Sequence, residues 1–460
     1  MRSTHRAVAA SLLAVFTVVV DNTKVNVALP TLAQALAADE TTLQWIVESY
    51  VLAFAAPLLL GGAIADRFGP AATMRAGLVG FAAGSVVAAV APSAGVLVAA
   101  RVLTGLAAAL VMPATLAAVV AAAPDDRSRT VAGWTGVVAL GVAFGPVVGG
   151  ALLEVAAWPS LFWLNVPLAL AAAAALPSTA RPPSVVARLD LRGSVLLAGV
   201  MLGVVAAVTE APRHPWLVVP AGALALSCAA GYARHQRRGE PVLPLQLFRT
   251  APLRVSIGAL SAMFGAIFGI AFLLPLYLQL VRGVGPLGTG LYILAYAFAL
   301  VVASLVAGSV PVRHRRRLVT TGLLATAAVH AVAALGLSEA TSAWALAAGL
   351  AVVGVGIGLA QAPLTELLLD AIGPRTGLGS ALNDAVREVG GVVGVAVLGS
   401  VAVAVTGPAA TGSAMLEGVR VAAVVAAALL AIASAVTARS SGWASDTPAG
   451  AVGATSPLSR

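Results

Sequence analysis

Four ionisable residues stand inside apolar stretches early in this 460-residue chain: Asp21, Lys24, Glu48 and Arg101. Charged side chains within membrane-type segments are costly and mark ion or substrate pathways by default. Counting the helix rise from the ends of their apolar runs puts Lys24, Glu48 and Arg101 roughly 8–9 Å below one edge and Asp21 roughly 13 Å below it. Two acids and two bases at similar depth make a nominally neutral set. Neutralising one acid leaves net positive charge, which repels a cationic substrate or rearranges a pair. That is chemistry suited to proton coupling. A static salt-bridge network is the alternative, because Asp21 and Lys24 are i, i+3 neighbours on one helix. A second polar group lies late in the chain: Glu366, Asn383, Asp384, Arg387 and Glu388. Asp384, Arg387 and Glu388 are i+3 and i+4 neighbours, placed roughly 9–15 Å from the opposite edge. Such a self-neutralising set reads first as structural.

The elements that must position these residues are membrane helices. The chain is 60% hydrophobic and 10% charged, with a mean hydropathy of +0.99. A soluble chain carries about a quarter charged residues, so this is an all-α membrane protein. Apolar runs of roughly 20 residues begin near residues 8, 43, 72, 96, 131, 158, 193, 214, 254, 287, 318, 342, 379 and 418, which gives fourteen candidate transmembrane helices. The first run follows Arg2 and Arg6 and continues to Pro30 with no convincing cleavage site, so it reads as an uncleaved span. Loop arginines crowd one side, including Arg67, Arg75, Arg127, Arg129 and Arg313 to Arg317. The other side holds only Arg213, Arg282 and Arg420. By the positive-inside rule both termini are cytoplasmic, in a multi-pass cell-membrane protein. The net charge of +9 therefore implies lipid bilayer and topology, not nucleic acid. Residues after Arg439 are rich in Ser, Gly, Pro and Ala and are expected to be disordered.

Several reaction classes are excluded. The single cysteine, Cys228, rules out an intrachain disulfide and a cysteine-based metal site. There is no GxxxxGK[ST], no HExxH and no GxSxG, so neither an ATP site, a zinc-protease helix nor a nucleophile elbow is expected. The chain reads as no enzyme, with no metal and no cofactor.

Residues 133–150 form an apolar stretch in which Gly141, Gly145 and Gly149 share one helix face. A bare face lets a neighbouring helix approach to backbone contact, and Pro146 breaks one helical hydrogen bond beside it. With Gly136 upstream and Gly150 at its end, the stretch resembles the antiporter motif of exporters in the major facilitator superfamily. Three further stretches resemble the fourteen-helix drug:proton antiporter branch of that superfamily. Asp21-Asn-Thr-Lys-Val-Asn-Val-Ala-Leu-Pro30 is similar to its first-helix signature. Gly62-Ala-Ile-Ala-Asp66-Arg67-Phe-Gly69 is similar to its gating loop, and Arg101-Val-Leu-Thr-Gly105 to its fourth-helix motif. Gln44-Trp45 and Trp163-Leu-Asn165-Val-Pro167 also match. The gating loop departs from the pattern at Pro70 and Ala71, where two basic residues are usual, with Arg75 as a partial substitute.

The resemblance implies two six-helix bundles, 1–180 and 251–438, with two inserted helices and a linker in 181–250 and a tail at 439–460. An internal repeat agrees. At an offset of 250 residues, Pro113, Thr115, Pro124, Gly141 and Gly149 match Pro363, Thr365, Pro374, Gly391 and Gly399. The expected function is proton-coupled export of small amphipathic compounds such as drugs by alternating access, with a small molecule and protons as partners. Asp21, Glu48 and Arg101 are then the coupling or substrate residues and Lys24 their charge partner, while Asp66 caps the next helix and pairs with an arginine across the interface between halves, holding the inner side closed. A same-fold carrier of one metabolite or lipid, and a non-transporting membrane sensor or accessory protein, are the rival readings.

Overall fold

The computed structural model describes residues 2–38, 40–122, 127–176, 190–210, 215–236, 243, 245–284, 286–373, 375–406 and 412–440. The tail from 441 onward, residues 181–189, 211–214, 237–242 and 244 of the 181–250 segment, and Pro124 and Pro374 of the repeat lie outside them. With no water in a bilayer to satisfy backbone groups, helices are the outcome for such apolar sequence, and the described residues contain helices and no strand. The N-terminal helices are α1 (Arg2–Leu36), α2 (Glu40–Ala55), α3 (Leu58–Phe68), α4 (Pro70–Ala89), α5 (Ala94–Ala122), α6 (Arg127–Val155), α7 (Pro159–Trp163) and α8 (Asn165–Ala175). Then come α9 (Leu191–Glu210) and α10 (Val218–His235). The C-terminal helices are α11 (Ala251–Leu276), α12 (Pro286–Ser309), α13 (Val312–Gly336), α14 (Ala343–Ile372), α15 (Thr376–Thr406) and α16 (Ser413–Arg439).

Among the described residues eleven helices are long and apolar enough to cross a membrane, or twelve if α2 and α3, bent by 45°, count as one span. Two further apolar helices, Pro159–Ala175 and Arg192–Val204, are shorter. These fall at the runs expected near 158 and 193. Pro57 separates α2 from α3. Pro70 occupies the first position of α4, where a missing N–H costs nothing. Gly69 makes the turn before it at φ 88°, a conformation that favours glycine. The Pro70 departure in the gating loop therefore has a local structural use.

The repeat appears in the packing. α6 packs on α1 as α15 packs on α11; α5 packs on α4 and α2 as α14 packs on α13 and α12. Across the chain's two parts, α6 meets α12 and α15 meets α3. α10 packs chiefly on α9, and α9 reaches α2, α3 and α15.

Glycine makes these contacts close. A Cβ at Gly141 would stand 2.9 Å from Val19 Cβ, and one at Gly149 would stand 2.8 Å from the Lys24 carbonyl oxygen. One at Gly145 would collide with the Thr23 hydroxyl and stand 3.2 Å from Val20 O. The three glycines thus form one face against α1. Gly136 lies off that face, where a Cβ would stand 3.4 Å from a Val301 methyl of α12, and a Cβ at Gly150 would meet nothing within 4 Å. On α15, Gly390 and Gly394 meet Ser261 and Gly265 of α11, the equivalent contact in the repeat. Overpacking costs about 1–3 kcal/mol, occasionally more. Gly145→Leu should therefore lower the thermal midpoint of the detergent-purified protein clearly, and Gly150→Leu should leave it unchanged. Equal midpoints for the two variants would mean the α1–α6 contact is not tight.

Candidate functional site

Asp21 on α1 is fully buried and its carboxylate is saturated. Oδ2 accepts from Arg101 Nη1 of α5 at 2.7 Å, and Oδ1 accepts from Asn165 Nδ2 of α8 at 2.7 Å. Lys24 Nζ, one helical turn along α1, stands 3.3 Å from the same Oδ1 and donates to Asn165 Oδ1. Asn165 Nδ2 also donates to Ser85 Oγ of α4 at 3.1 Å. Four helices therefore meet at one carboxylate. The side chains of Asp21, Lys24 and Arg101 all have 0% exposure.

Arg101 is fixed on two more sides. Its Nε donates to Ile46 O at 3.2 Å, and its guanidinium stacks over the Tyr50 ring at 4.0 Å. Both contacts come from α2. Arg101 Nη2 and Tyr50 Oη are buried without hydrogen-bond partners among the described residues. The glycine face of α6 seats the segment Val19–Lys24 from behind, so the bare face and the buried charges form one construction. Of the expected residues, Asp21, Lys24 and Arg101 come together. The side chain of Glu48 lies outside the described part of the structure. Asn165, quoted only as a motif residue, belongs to the cluster. Tyr50 and Ser85 were not foreseen; Tyr50, two residues beyond Glu48, offered no charge or motif to mark it.

The gating loop crosses to the C-terminal helices. Asp66 Oδ1 and Oδ2 accept from the backbone N–H of Gly377 at 2.7 Å and Leu378 at 2.9 Å. Those are free amides of the first turn of α15, where a carboxylate is favoured by the helix dipole. Asp66 thus caps a distant helix rather than the next one, and Arg375, across the interface just before that helix, lies within electrostatic reach of its carboxylate. Close approach explains Gly62, since a Cβ there would stand 2.5 Å from Ala381 Cβ. Arg67 lies 5.5 Å from the Phe68 ring. Arg75 donates to Ala173 O and Leu176 O at the end of α8, at 3.4 and 3.0 Å.

Glu366 also departs from its expected place. It leaves the late polar group and pairs with Arg315 Nη1 of α13 at 2.5 Å, while Ser128 Oγ of α6 donates to it at 3.0 Å. Arg315 donates to Ser128 too, and Arg127 of α6 pairs with Asp370 of α14 at 2.6 Å. The cause is position: Glu366 lies near the end of α14 that carries the arginine-rich loops. These contacts and the Asp66 cap join the N-terminal and C-terminal helices at that arginine-rich face.

Asn383, Asp384 and Arg387 are buried on α15, and Glu388 is half-buried. Thr365 donates to Asn383 Oδ1 at 3.0 Å, and Arg387 Nη1 lies 3.5 Å from Asp384 Oδ1. The Arg387 guanidinium sits between the rings of Phe264 on α11 at 4.8 Å and Trp134 on α6 at 5.5 Å. Trp134 is itself held by its indole N–H to Thr115 Oγ1 at 3.0 Å. No group of three or more metal-ligating side chains occurs among the described residues.

Removing one partner of a buried ion pair costs about 3–5 kcal/mol. Asp21→Asn strands two cations and should lower the unfolding midpoint sharply. Adding Lys24→Met should not restore it, because Arg101, the closer partner, stays stranded. Lys24→Met alone should cost less than Asp21→Asn. Thermal unfolding of the three purified variants tests this; full recovery in the double variant would make Lys24 the dominant partner.

The chain resembles proteins of known kind along most of its length. It is 35% identical over 391 residues to the methylenomycin A resistance protein of Streptomyces coelicolor, covering 83% of this chain and 82% of that one. It is 34% identical over 409 residues to the multidrug efflux pump LfrA of Mycolicibacterium smegmatis, covering 86% and 80%. With the multidrug resistance protein Stp of Mycobacterium tuberculosis the identity is 33% over 399 residues, covering 85% and 74%. Among solved structures, the human organic anion transporter MFSD10 superposes with a TM-score of 0.63 at 18% identity, covering 94% of this chain and 99% of that one. The proton:xylose symporter XylE superposes at 0.64 and 15% identity, covering 93% and 95%. These two likenesses concern the fold. The family model of the Major Facilitator Superfamily matches residues 11–395. A membrane bundle built on a repeated helix pairing, with relatives that are drug-resistance and efflux proteins, is therefore a transporter rather than an enzyme, and the chain belongs to the Major Facilitator Superfamily.

Proposed function

We propose that this protein is a proton-coupled exporter of small amphipathic compounds, working by alternating access across the cell membrane. It has fourteen spans, with both termini and the arginine-rich face in the cytoplasm. Residues 1–180 and 251–438 form the two bundles that rock against each other, and α9 and α10 are the inserted pair within 181–250. The eleven long apolar helices and the bent α2–α3 pair, together with the shorter apolar helices Pro159–Ala175 and Arg192–Val204, support that count. The loop arginines support the orientation.

One observation carries the reading. The polar contacts Asp66–Gly377/Leu378, Glu366–Arg315/Ser128 and Arg127–Asp370 join the two sets of helices at the arginine-rich face. Ion pairs and amide caps of this kind can break and reform with hydration, whereas glycine-packed helix pairs such as α1–α6 move as units. Closure at one face with rigid pairs behind it suits a rocking transporter. Buried carboxylates, with no nucleotide-binding motif, support the proton gradient as the energy source. The relatives' names, methylenomycin A resistance and multidrug efflux, support antibiotics or drugs as cargo.

The test is a resistance panel in a pump-deficient host expressing this chain, followed by efflux from intact cells. Raised resistance to several unrelated compounds is expected, and an uncoupler that collapses the proton gradient should abolish their efflux. Unchanged efflux with the gradient gone would contradict proton coupling. Tight protection against one compound alone would point to a dedicated carrier.

A further inference from the structure

We propose that Asp384 and Glu388 hold the coupling proton between them, with Arg387 as the positioning cation, while the Asp21 cluster stays charged throughout. The proposal rests on the proton-coupled reading above and names the residues that serve it.

The two buried clusters differ in how they are satisfied. Asp21 accepts from Arg101 and Asn165 at 2.7 Å and faces Lys24 at 3.3 Å. Protonating it would leave two fully buried cations facing a neutral group, a strongly unfavourable state. The α15 cluster has the opposite balance: two carboxylates and one guanidinium within one helical turn and a residue. Among the described residues Asp384 Oδ2 is buried with no hydrogen-bond partner, and Arg387 Nε and Nη1 have none either. A bare carboxylate oxygen in a site with an excess negative charge is costly. Two carboxylates sharing one cation relieve that cost by keeping one proton between them.

Among the described residues the surroundings add no second cation. Asp384 faces Arg387, Glu388 and Asn383, and Glu388 faces Arg387. From α2, Tyr50 is within electrostatic reach of Glu388; from α12, Tyr296 is within reach of Arg387. α6 and α11 contribute the Trp134 and Phe264 rings, and α14 contributes Thr365. Arg101 of α5 is committed to Asp21 and Tyr50. The charges of the other helices on α15 are engaged at its ends: Asp66 of α3 on Gly377 and Leu378, and Arg420 of α16 with Glu417 and Leu337 O. On α14, Glu366 and Asp370 pair with Arg315 and Arg127. The exposed Arg192 stands at the start of α9.

Access and consequence follow from the same geometry. Glu388 is half-buried, whereas Asp384 and Arg387 are buried, so Glu388 is where a proton from water arrives and leaves. Arg387 bridges both sets of helices, between Trp134 of α6 and Phe264 of α11. Releasing the shared proton leaves two charged carboxylates on the one guanidinium and draws it from the ring faces, which changes the contact between the sets. The step is a proton transfer between water and a carboxylate oxygen, with no other bond made or broken.

Infrared difference spectra of the purified full-length protein, titrated with pH, read carboxylic-acid groups directly and need no transport substrate. Failure of the export reading therefore leaves the test intact. The wild type should show a protonated-carboxyl band at neutral pH. Asp384→Asn and Glu388→Gln should each remove it, Glu388→Asp should restore it, and Asp21→Asn should leave it in place. If Asp21→Asn does not fold, the α15 variants still decide. A band that survives in both Asp384→Asn and Glu388→Gln, or no band in the wild type, overturns the proposal.

Discussion

Nothing in the interior of a membrane bundle relieves an unpaired charge, so each buried ion must find its partner in protein. That constraint organises this molecule. Asp21 draws Arg101 from α5 and Asn165 from α8 to α1, and Asn165 draws Ser85 from α4. Arg101 in turn fastens α2 through Ile46 O and Tyr50. One carboxylate therefore gathers five helices. α6 joins them without charge, through a glycine face that fits behind Thr23 and Lys24. The close approach of backbone to backbone and the neutral pairing of ions are two halves of the same packing.

The C-terminal helices repeat the backbone solution and alter the charge solution. Gly390 and Gly394 of α15 lie against α11 as Gly141 and Gly145 of α6 lie against α1. The cluster on α15 instead sits where α6 and α11 both reach it, and it leaves polar atoms unsatisfied. A satisfied carboxylate on one side and a bare carboxylate oxygen on the other suit a division of labour between scaffold and moving charge. At the arginine-rich face the partners are again shared between the two sets, through Asp66, Glu366 and Asp370.

Much of this was legible in residue types and spacing. The apolar runs mark the helices because length and composition set membrane spans. Gly141, Gly145 and Gly149 mark a contact face because their four-residue spacing admits nothing else on one side of a helix. Asp21 and Arg101 mark a site because buried charge demands a reason. The partners were less legible. Asn165 and Tyr50 are ordinary residues whose role depends on which helices meet, a property of tertiary packing. Asp66 points to a gate, and Arg375 lies within its electrostatic reach, but its hydrogen bonds go to the backbone amides of Gly377 and Leu378, and an amide carries no side-chain signature. Glu366 seemed a neighbour of Asp384 by its place in the chain; near the arginine-rich end of its helix it meets Arg315 instead.

The central claim is that the two sets of helices separate at the arginine-rich face when its polar contacts break, while pairs such as α1–α6 stay together. The most direct test is a spin-label distance between exposed positions Phe68 on α3 and Arg254 on α11, each changed to Cys in a Cys228→Ser background. Wild-type contacts should give a short-distance population, and adding Asp66→Asn with Glu366→Gln should shift weight to longer distances. An unchanged distribution in that variant would contradict the account.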